Sequence, residues 1–215
     1  MQRIKRINTK CWAPVFLAVA LLFQPVAQPS EVITLFNGED FTGLVRYLPG
    51  DRDVEKTWQV VDRVIACSGK PNGYLRTAEK YKDYRLTFEY RWPGRGGNSG
   101  LLVHIQEEDK VWPQCIEGQM QHHHAGDFWV IDGADFREHI DPIWRRVPKQ
   151  EASSEKPVGE WNTYTAEVRD DTIQLFVNGV LQNIATECTL TEGYIGWQAE
   201  GTPLELRNMT LVPLH

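Results

Sequence analysis

The segment YRLTFEYRW at 84–92 sets Leu86, Phe88, Tyr90 and Trp92 against Arg85, Thr87, Glu89 and Arg91. Such alternation marks a strand with one buried face, because successive side chains on extended backbone point to opposite sides. The same period recurs along the chain. GLLVHI (100–105) puts Leu101, Val103 and Ile105 on one side, and WNTYTAEVR (161–169) keeps Tyr164, Ala166 and Val168 in step. TIQLFVNGVLQNI (172–184) reads as a hairpin about Asn178-Gly179, a pair that accepts the positive φ values of a type I′ turn. WQVVDRVIAC (58–67) reads as two strands about Asp62-Arg63, and YIGWQA (194–199) and LELRNMTLV (204–212) close the chain. PGDRDVEK and ADFREHIDP hold at most a turn or two of helix. The polar stretch 133–159, with Pro142, Pro148 and Pro157, reads as a long loop over one end of the sheets, and loops of that length are commonly functional. Many short strands with Gly and Pro turns, and eight tryptophans suited to pleated surfaces, predict an all-β sandwich or jelly roll in one domain over 31–215.

The first 30 residues stand apart. Arg3, Lys5, Arg6 and Lys10 precede the apolar run CWAPVFLAVALLF, the arrangement of a secretory signal peptide, with Ala27 as the candidate cleavage point. The run is shorter than the roughly 20 residues a membrane span requires. The expectation is an exported protein, periplasmic or extracellular, with no membrane contact beyond export; an uncleaved N-terminal anchor is the alternative. Removing residues 1–27, which hold four Lys+Arg and no acid, leaves 19 basic and 29 acidic residues, a formal charge of −10. No basic stripe offsets that charge, so nucleic acid is not an expected partner. Cys67, Cys115 and Cys188 remain, enough for one disulfide in an oxidising compartment, with the pairing open.

The stretch WPQCIEGQMQHHHAGDFWVIDG from Trp112 concentrates the chemistry. On a strand, Ile116 and Met120 share the core face, and Glu117 and Gln119 share the other. A carboxylate beside amides suits a sugar, since hydroxyls want paired donors and acceptors. Glu117 could act as general acid, base or nucleophile. Polar groups on neighbouring strands, Glu89 with Arg91 and His104, could reach the same face. Trp112 and Trp129 offer flat surfaces for sugar rings, although core packing is the commoner use of a tryptophan. WQAEGTP puts Gln198 in step with Glu200, a second carboxylate beside an amide. GGNSG (96–100) is no phosphate loop, lacking a lysine and a following helix; it reads as a turn bringing Asn98 and Ser99 to the cleft rim. On a regular strand His122 and His124 share a face with His123 opposed, so the three cannot bind one ion together. A histidine pair with Asp127 could hold a divalent metal ion, against the plainer reading of a polar strand end.

Seven blocks then fall in a recognisable order: LFNGEDFTGL (35–44), YKDYRLTFEYRW (81–92), GGNSGLLVHI (96–105), VWPQCIEGQM (111–120), AGDFWVIDG (125–133), GEWNTYTAEVRDDTIQLFVNGV (159–180) and GYIGWQAEGTPLELRNMTL (193–211). Together they resemble the 3-keto-disaccharide hydrolase family over nearly all of residues 31–214. The resemblance implies a concanavalin A-like jelly roll of two antiparallel sheets and a carbohydrate substrate, an oxidised disaccharide or glycoside. It also implies polar cleft positions at Asn98, Ser99, Glu117, Gln119, Asp127, Trp129, Gln198 and Glu200. A 3-keto group acidifies the hydrogen at C2, so the glycosidic bond can break by elimination followed by hydration. In that scheme Glu117 is the acid/base, His104 or a divalent ion stabilises the oxyanion, and Gln119, Asn98 and Arg91 help hold the sugar. Two-carboxylate hydrolysis, with Glu117 paired to Glu89 or Glu200, is the alternative within the enzyme class. Outside it stand a lectin-like binding module and a surface-interaction domain; the last predicts an exposed apolar patch.

Overall fold

The computed structural model describes residues 31–50, 52–106 and 109–214; the signal-peptide reading falls on residues 1–30 and so lies outside them. Fifteen strands follow in chain order: β1 (Ile33–Thr34), β2 (Leu44–Tyr47), β3 (Trp58–Val61), β4 (Val64–Cys67), β5 (Gly73–Thr77), β6 (Tyr84–Arg91), β7 (Gly100–Ile105), β8 (Cys115–Gln119), β9 (Phe128–Ile131), β10 (Arg146–Val147), β11 (Asn162–Arg169), β12 (Thr172–Val177), β13 (Val180–Ala185), β14 (Tyr194–Ala199) and β15 (Leu204–Pro213). They form two antiparallel sheets. The back sheet runs β13-β12-β11-β6-β15-β4-β3, with β1 on β15; the front sheet runs β10-β9-β8-β7-β14-β5-β2. The architecture is the sandwich that the strand pattern predicts, in the concanavalin A-like jelly-roll form that the resemblance implies.

The alternating pattern builds the core between the sheets. Leu86, Phe88, Tyr90 and Trp92 face inward from the back sheet and meet Leu101, Val103, Ile116, Phe128, Val130 and Trp197 from the front sheet. Phe88 stacks on Tyr164 at 5.4 Å and meets Trp197 edge-on at 5.6 Å, geometries that suit aromatic quadrupoles. Gly118 lets β8 approach the back sheet, since a Cβ there would sit 2.8 Å from the Tyr164 hydroxyl oxygen. Both predicted hairpin turns form, with Asp62 at φ 50°, Arg63 at 63°, Asn178 at 50° and Gly179 at 80°. The only helix among the described residues is one 3₁₀ turn, Val54–Lys56, capped by the Asp53 carboxylate.

Three expectations need correction. Ile105 does not share a face with Leu101 and Val103: the β7–β14 pairing shifts register between Tyr194 and Gly196, and His104 takes φ 59°. That irregularity reverses the alternation, so His104 meets Tyr84 of the back sheet and Ile105 joins the other face, with Tyr74 and Leu102. The 133–159 stretch is not all loop, because Arg146–Val147 pairs with Trp129 and Phe128 as an edge strand. The one disulfide that an oxidising compartment would permit is not formed among the described residues: Cys67, Cys115 and Cys188 are each buried and free.

Candidate functional site

The cleft lies on the face of the front sheet turned away from the core. On β8 the core-facing residues are Ile116 and Gly118, so Glu117 and Gln119 project outward. Glu117 pairs across the ladder with Leu102 on β7 and Trp129 on β9; Gln119 pairs with Gly100. A cavity of about 290 Å³ opens over them, walled by Trp112, Trp129, Ile131 and Arg145, with Asn98 and Glu200 at one end. That is the low end of the size range for small-molecule sites.

Gly100 makes the centre of this floor. A Cβ on it would lie 2.2 Å from Glu117 Oε1 and 2.6 Å from Gln198 Oε1. The missing side chain lets the Glu117 carboxyl and the Gln198 amide converge from β8 and β14 over the strand between them. Gly100→Ala is therefore expected to displace both groups and cut activity by at least about tenfold, while circular dichroism stays that of the folded sandwich. Unchanged kinetics would show that the convergence is immaterial.

The electrostatics centre on Glu117, which is 6% exposed. Burial, reinforced by the Glu200 carboxylate, pushes its pKa up to about 8; the Gln198 amide and the Arg145 guanidinium pull the other way. Burial also raises Glu200, against a hydrogen bond from Asn98. Asn98 reaches that position because its backbone bridges to Glu200 and Gly201 just ahead of β7. Asn98 Oδ1, the amide oxygen of Gln198 and Trp129 Nε1 are buried with no hydrogen-bond partner among the described residues. Buried polar atoms left open on one side of a cavity are groups available to a polar ligand. Gln119 spends its amide oxygen on the backbone N–H groups of Met120 (2.9 Å) and Gln121 (2.8 Å), so its –NH₂ is left to face the cleft as a donor.

Glu117, Glu200, Asn98, Gln119, Trp129 and Gln198 therefore come together as the sequence reading expects. Five predicted positions do not. His104 is fully buried behind the sheet, where the bulge puts it; its Nδ1 meets the Leu190 carbonyl at 3.0 Å, and burial lowers its pKa to about 4. It cannot polarise a substrate oxygen in the cleft. Arg91 belongs to β6 of the back sheet, where it pairs with Glu205 and lies 4.7 Å over Trp161. Glu89 sits on the same strand, bonded to Arg207 (2.6 Å) and Asn208 (2.8 Å), so it is no partner for Glu117. Ser99 is 1% exposed and donates to the Gln198 carbonyl at 2.9 Å, fastening β7 to β14. Asp127 is equally buried and accepts from Arg146 Nε (2.7 Å) and the Lys149 backbone N–H (2.8 Å), holding the 146–149 segment down. Arg91→Ala is expected to leave turnover within about twofold of the parent and to cost at most about 1 kcal/mol of stability, checked by steady-state assay and denaturant melt.

The histidines do not assemble a metal site. Residues 121–126 form turns, with His123 at φ 70°, and the His122 and His123 rings lie together at 3.9 Å rather than opposed. Arg146 Nη2 donates to His124 Nδ1 at 2.9 Å while its Nε bonds Asp127, so a guanidinium already fills the place between them that a cation would take. Among the described residues no three His, Cys, Asp or Glu side chains group as a metal ion requires.

Arg145 is the cleft residue that the sequence reading misses. It stands 5.5 Å over the Trp129 ring, and its carbonyl accepts from the Val130 N–H at 2.9 Å. It enters the site only because β10 pairs with β9. The functional weight expected of the 133–159 segment is the one signal that bears on it.

Comparison with known proteins places this geometry. The chain is similar in structure to a candidate glycosyl hydrolase from Parabacteroides distasonis, at TM-score 0.64 and 21% identity, covering 86% of this chain and 94% of that one. It is also similar to the carbohydrate-binding module CBM66 from Bacillus subtilis (TM-score 0.59, 12% identity, 79% and 95% covered). A third likeness is to the Bacillus licheniformis β-glucanase (TM-score 0.55, 12% identity, 88% and 100% covered). At such identities these likenesses speak to the fold. No curated protein matches the chain. The match of a family model does more, since it spans residues 31–212, and with them every strand but the end of β15 and every cleft residue. The chain belongs to the 3-keto-disaccharide hydrolase family, that of the 3-keto-alpha-glucoside-1,2-lyase-like domain.

Proposed function

We propose that the protein is an exported carbohydrate-active enzyme that cleaves the glycosidic bond of a 3-keto-glycoside in the front-sheet cleft. The observation that carries this reading is the pair Glu117 and Glu200: one buried carboxyl poised near pH 8, the other close enough to help raise it. Neighbouring carboxyls that burial holds above the ordinary range, one of them to about 8, are the mark of acid/base work, and a mere binding face has no use for that cost.

The chemistry follows from the substrate class. The ketone at C3 makes the C2–H bond acidic. Glu117 takes that proton, and a carboxylate of pKa about 8 is a stronger base than an ordinary one. The C–H electron pair moves into an enolate, which Arg145, the cationic side chain in the cleft wall, is placed to stabilise. The enolate then re-forms the ketone, makes the C1–C2 double bond and expels the glycosidic oxygen, which takes from Glu117 the proton that left C2 and departs as an alcohol. Water adds to C1 and gives a proton to the Glu117 carboxylate, which delivers it to C2. The sum is one water consumed and two sugars released. Trp112 and Trp129 supply flat walls, and Gln119, Asn98 and Gln198 supply amides for ring hydroxyls.

The test is to incubate the protein with a 3-keto-disaccharide and with the unoxidised parent sugar, in H₂O and in D₂O. Release from the keto sugar alone, with deuterium gained at C2, supports the scheme. Release without deuterium would replace elimination by two-carboxylate hydrolysis. No release from either sugar, with binding measured by calorimetry, would make the protein a sugar-binding module that uses the same amides and tryptophans.

A further inference from the structure

Beyond the cleft lies a second hollow, of about 390 Å³, at the end of the central strands of the front sheet. Three connections build it: the Gly-rich segment ahead of β7, the turn after β8 and the residues after β14. Its lining includes Arg95, Gln121, His122 and Thr202, and it shares Asn98 with the cleft. The two hollows are therefore neighbours, and Asn98, hydrogen-bonded to Glu200, stands between them.

The hollow is held in shape by close packing. A Cβ on Gly96 would lie 2.3 Å from the His122 ring, and one on Gly97 would lie 2.2 Å from the Thr202 side chain. The His122 N–H donates to the Gly97 carbonyl at 3.0 Å, tying two of the connections together. His122 Nδ1 stands 3.5 Å from the Glu155 carboxylate, which also accepts from the Tyr90 hydroxyl. That leaves the far nitrogen of the imidazole as the one open to a ligand. Donors come from the exposed Arg95 and Gln121, acceptors from Gln121, Thr202 and Asn98. The lining holds no Phe, Tyr or Trp.

We propose that this hollow is the binding site for the sugar unit released in the reaction, resting on the function proposed above. One ring sits in the cleft over Glu117, the inter-ring oxygen lies at Asn98 and Glu200, and the second, hydroxylated ring is held by Arg95, Gln121, His122 and Thr202. Mixed donors and acceptors with no aromatic wall favour a neutral hexopyranose over an aryl or alkyl group.

The experiment compares a 3-keto-disaccharide with its methyl 3-keto-glucoside counterpart, which fills the cleft alone. Arg95→Ala/Gln121→Ala is the variant, because both side chains are exposed and their loss spares the core. Binding is measured by calorimetry on a Glu117→Gln background, so that substrate persists, and kcat/KM on the active background. The expected result is that the disaccharide binds about tenfold or more tighter than the methyl glycoside, and that the double variant erases this preference without moving methyl glycoside affinity. Equal affinity for the two ligands in the parent, or an equal loss for both in the variant, would overturn the proposal. If the active protein releases no sugar but the disaccharide preference and its loss are seen, the second-ring site stands and the enzymatic reading falls.

Discussion

Glu117→Gln is expected to lower turnover of a 3-keto-disaccharide by about 10²–10⁴-fold, the range for removing a positioned acid/base group. The amide keeps the shape of the side chain and loses the exchangeable charge, so disaccharide binding should survive. The pH dependence separates the roles that Glu117 could play. As the base at C2 it must be ionised, so kcat/KM of the parent protein rises with pH, is half-maximal near 8 and levels off above that. A profile that instead falls above pH 8 would make Glu117 a proton donor and remove the C2 abstraction step. The same group ties stability to pH. Its folded pKa of about 8 lies above the ordinary 4.5, so between those values the folded state holds a proton that the unfolded chain has released. The stabilising contribution is complete below pH 4.5 and is lost as pH rises through 8. At about 1.4 kcal/mol per pH unit the loss has an upper limit of roughly 4–5 kcal/mol. Glu117→Gln should flatten that decline, so urea melts at pH 5 and pH 8.5 should differ less in the variant than in the parent. An equal decline in both would show that burying this carboxyl carries no such cost.

The largest stability effect away from the cleft is expected at Arg146. Its guanidinium is the charged partner of Asp127, which is 1% exposed, and it also donates to His124. Arg146→Ala leaves a buried carboxylate with the Lys149 backbone N–H as its remaining close donor. Stranding one half of a buried ion pair typically costs 3–5 kcal/mol; with a partly exposed Arg146, about 2–3 kcal/mol is expected. Asp127→Asn removes the stranded charge, so in the double variant the loss should fall well below the sum of the single losses. Additive losses would mean that the two side chains do not act as a pair. Because the 146–149 segment follows Arg145 in the chain, Arg146→Ala should also weaken substrate turnover, whereas Arg91→Ala on the back sheet should not.

Much of this protein is legible from local pattern. Alternation in YRLTFEYRW and CIEGQM assigns faces correctly, because on regular strands the side-chain period is two whatever the neighbours are. Asn178-Gly179 marks its hairpin because that pair accepts two successive positive φ values. By the same logic Glu117 and Gln119 emerge together on the outward face of β8, and Gln198 from β14 comes in beside them.

What local pattern could not decide is which strands share a sheet and where a strand departs from its period. Arg91 and Glu89 have the same alternation as the cleft residues, yet the order of pairing puts β6 in the opposite sheet, so both point away from the site. His104 is in phase with Leu102 by counting, yet one bulge turns it into the core. Arg145 carries no periodic signal at all and reaches the cleft through the two-residue pairing of β10 with β9. The pKa of Glu117 is likewise a tertiary quantity: burial raises it first and Glu200, 83 residues further along the chain, raises it again. Side-chain direction is a property of the backbone nearby. Proximity and desolvation belong to the packed whole, so the sequence determined the sandwich and its polar strand, and the tertiary structure alone decided which polar groups became a site.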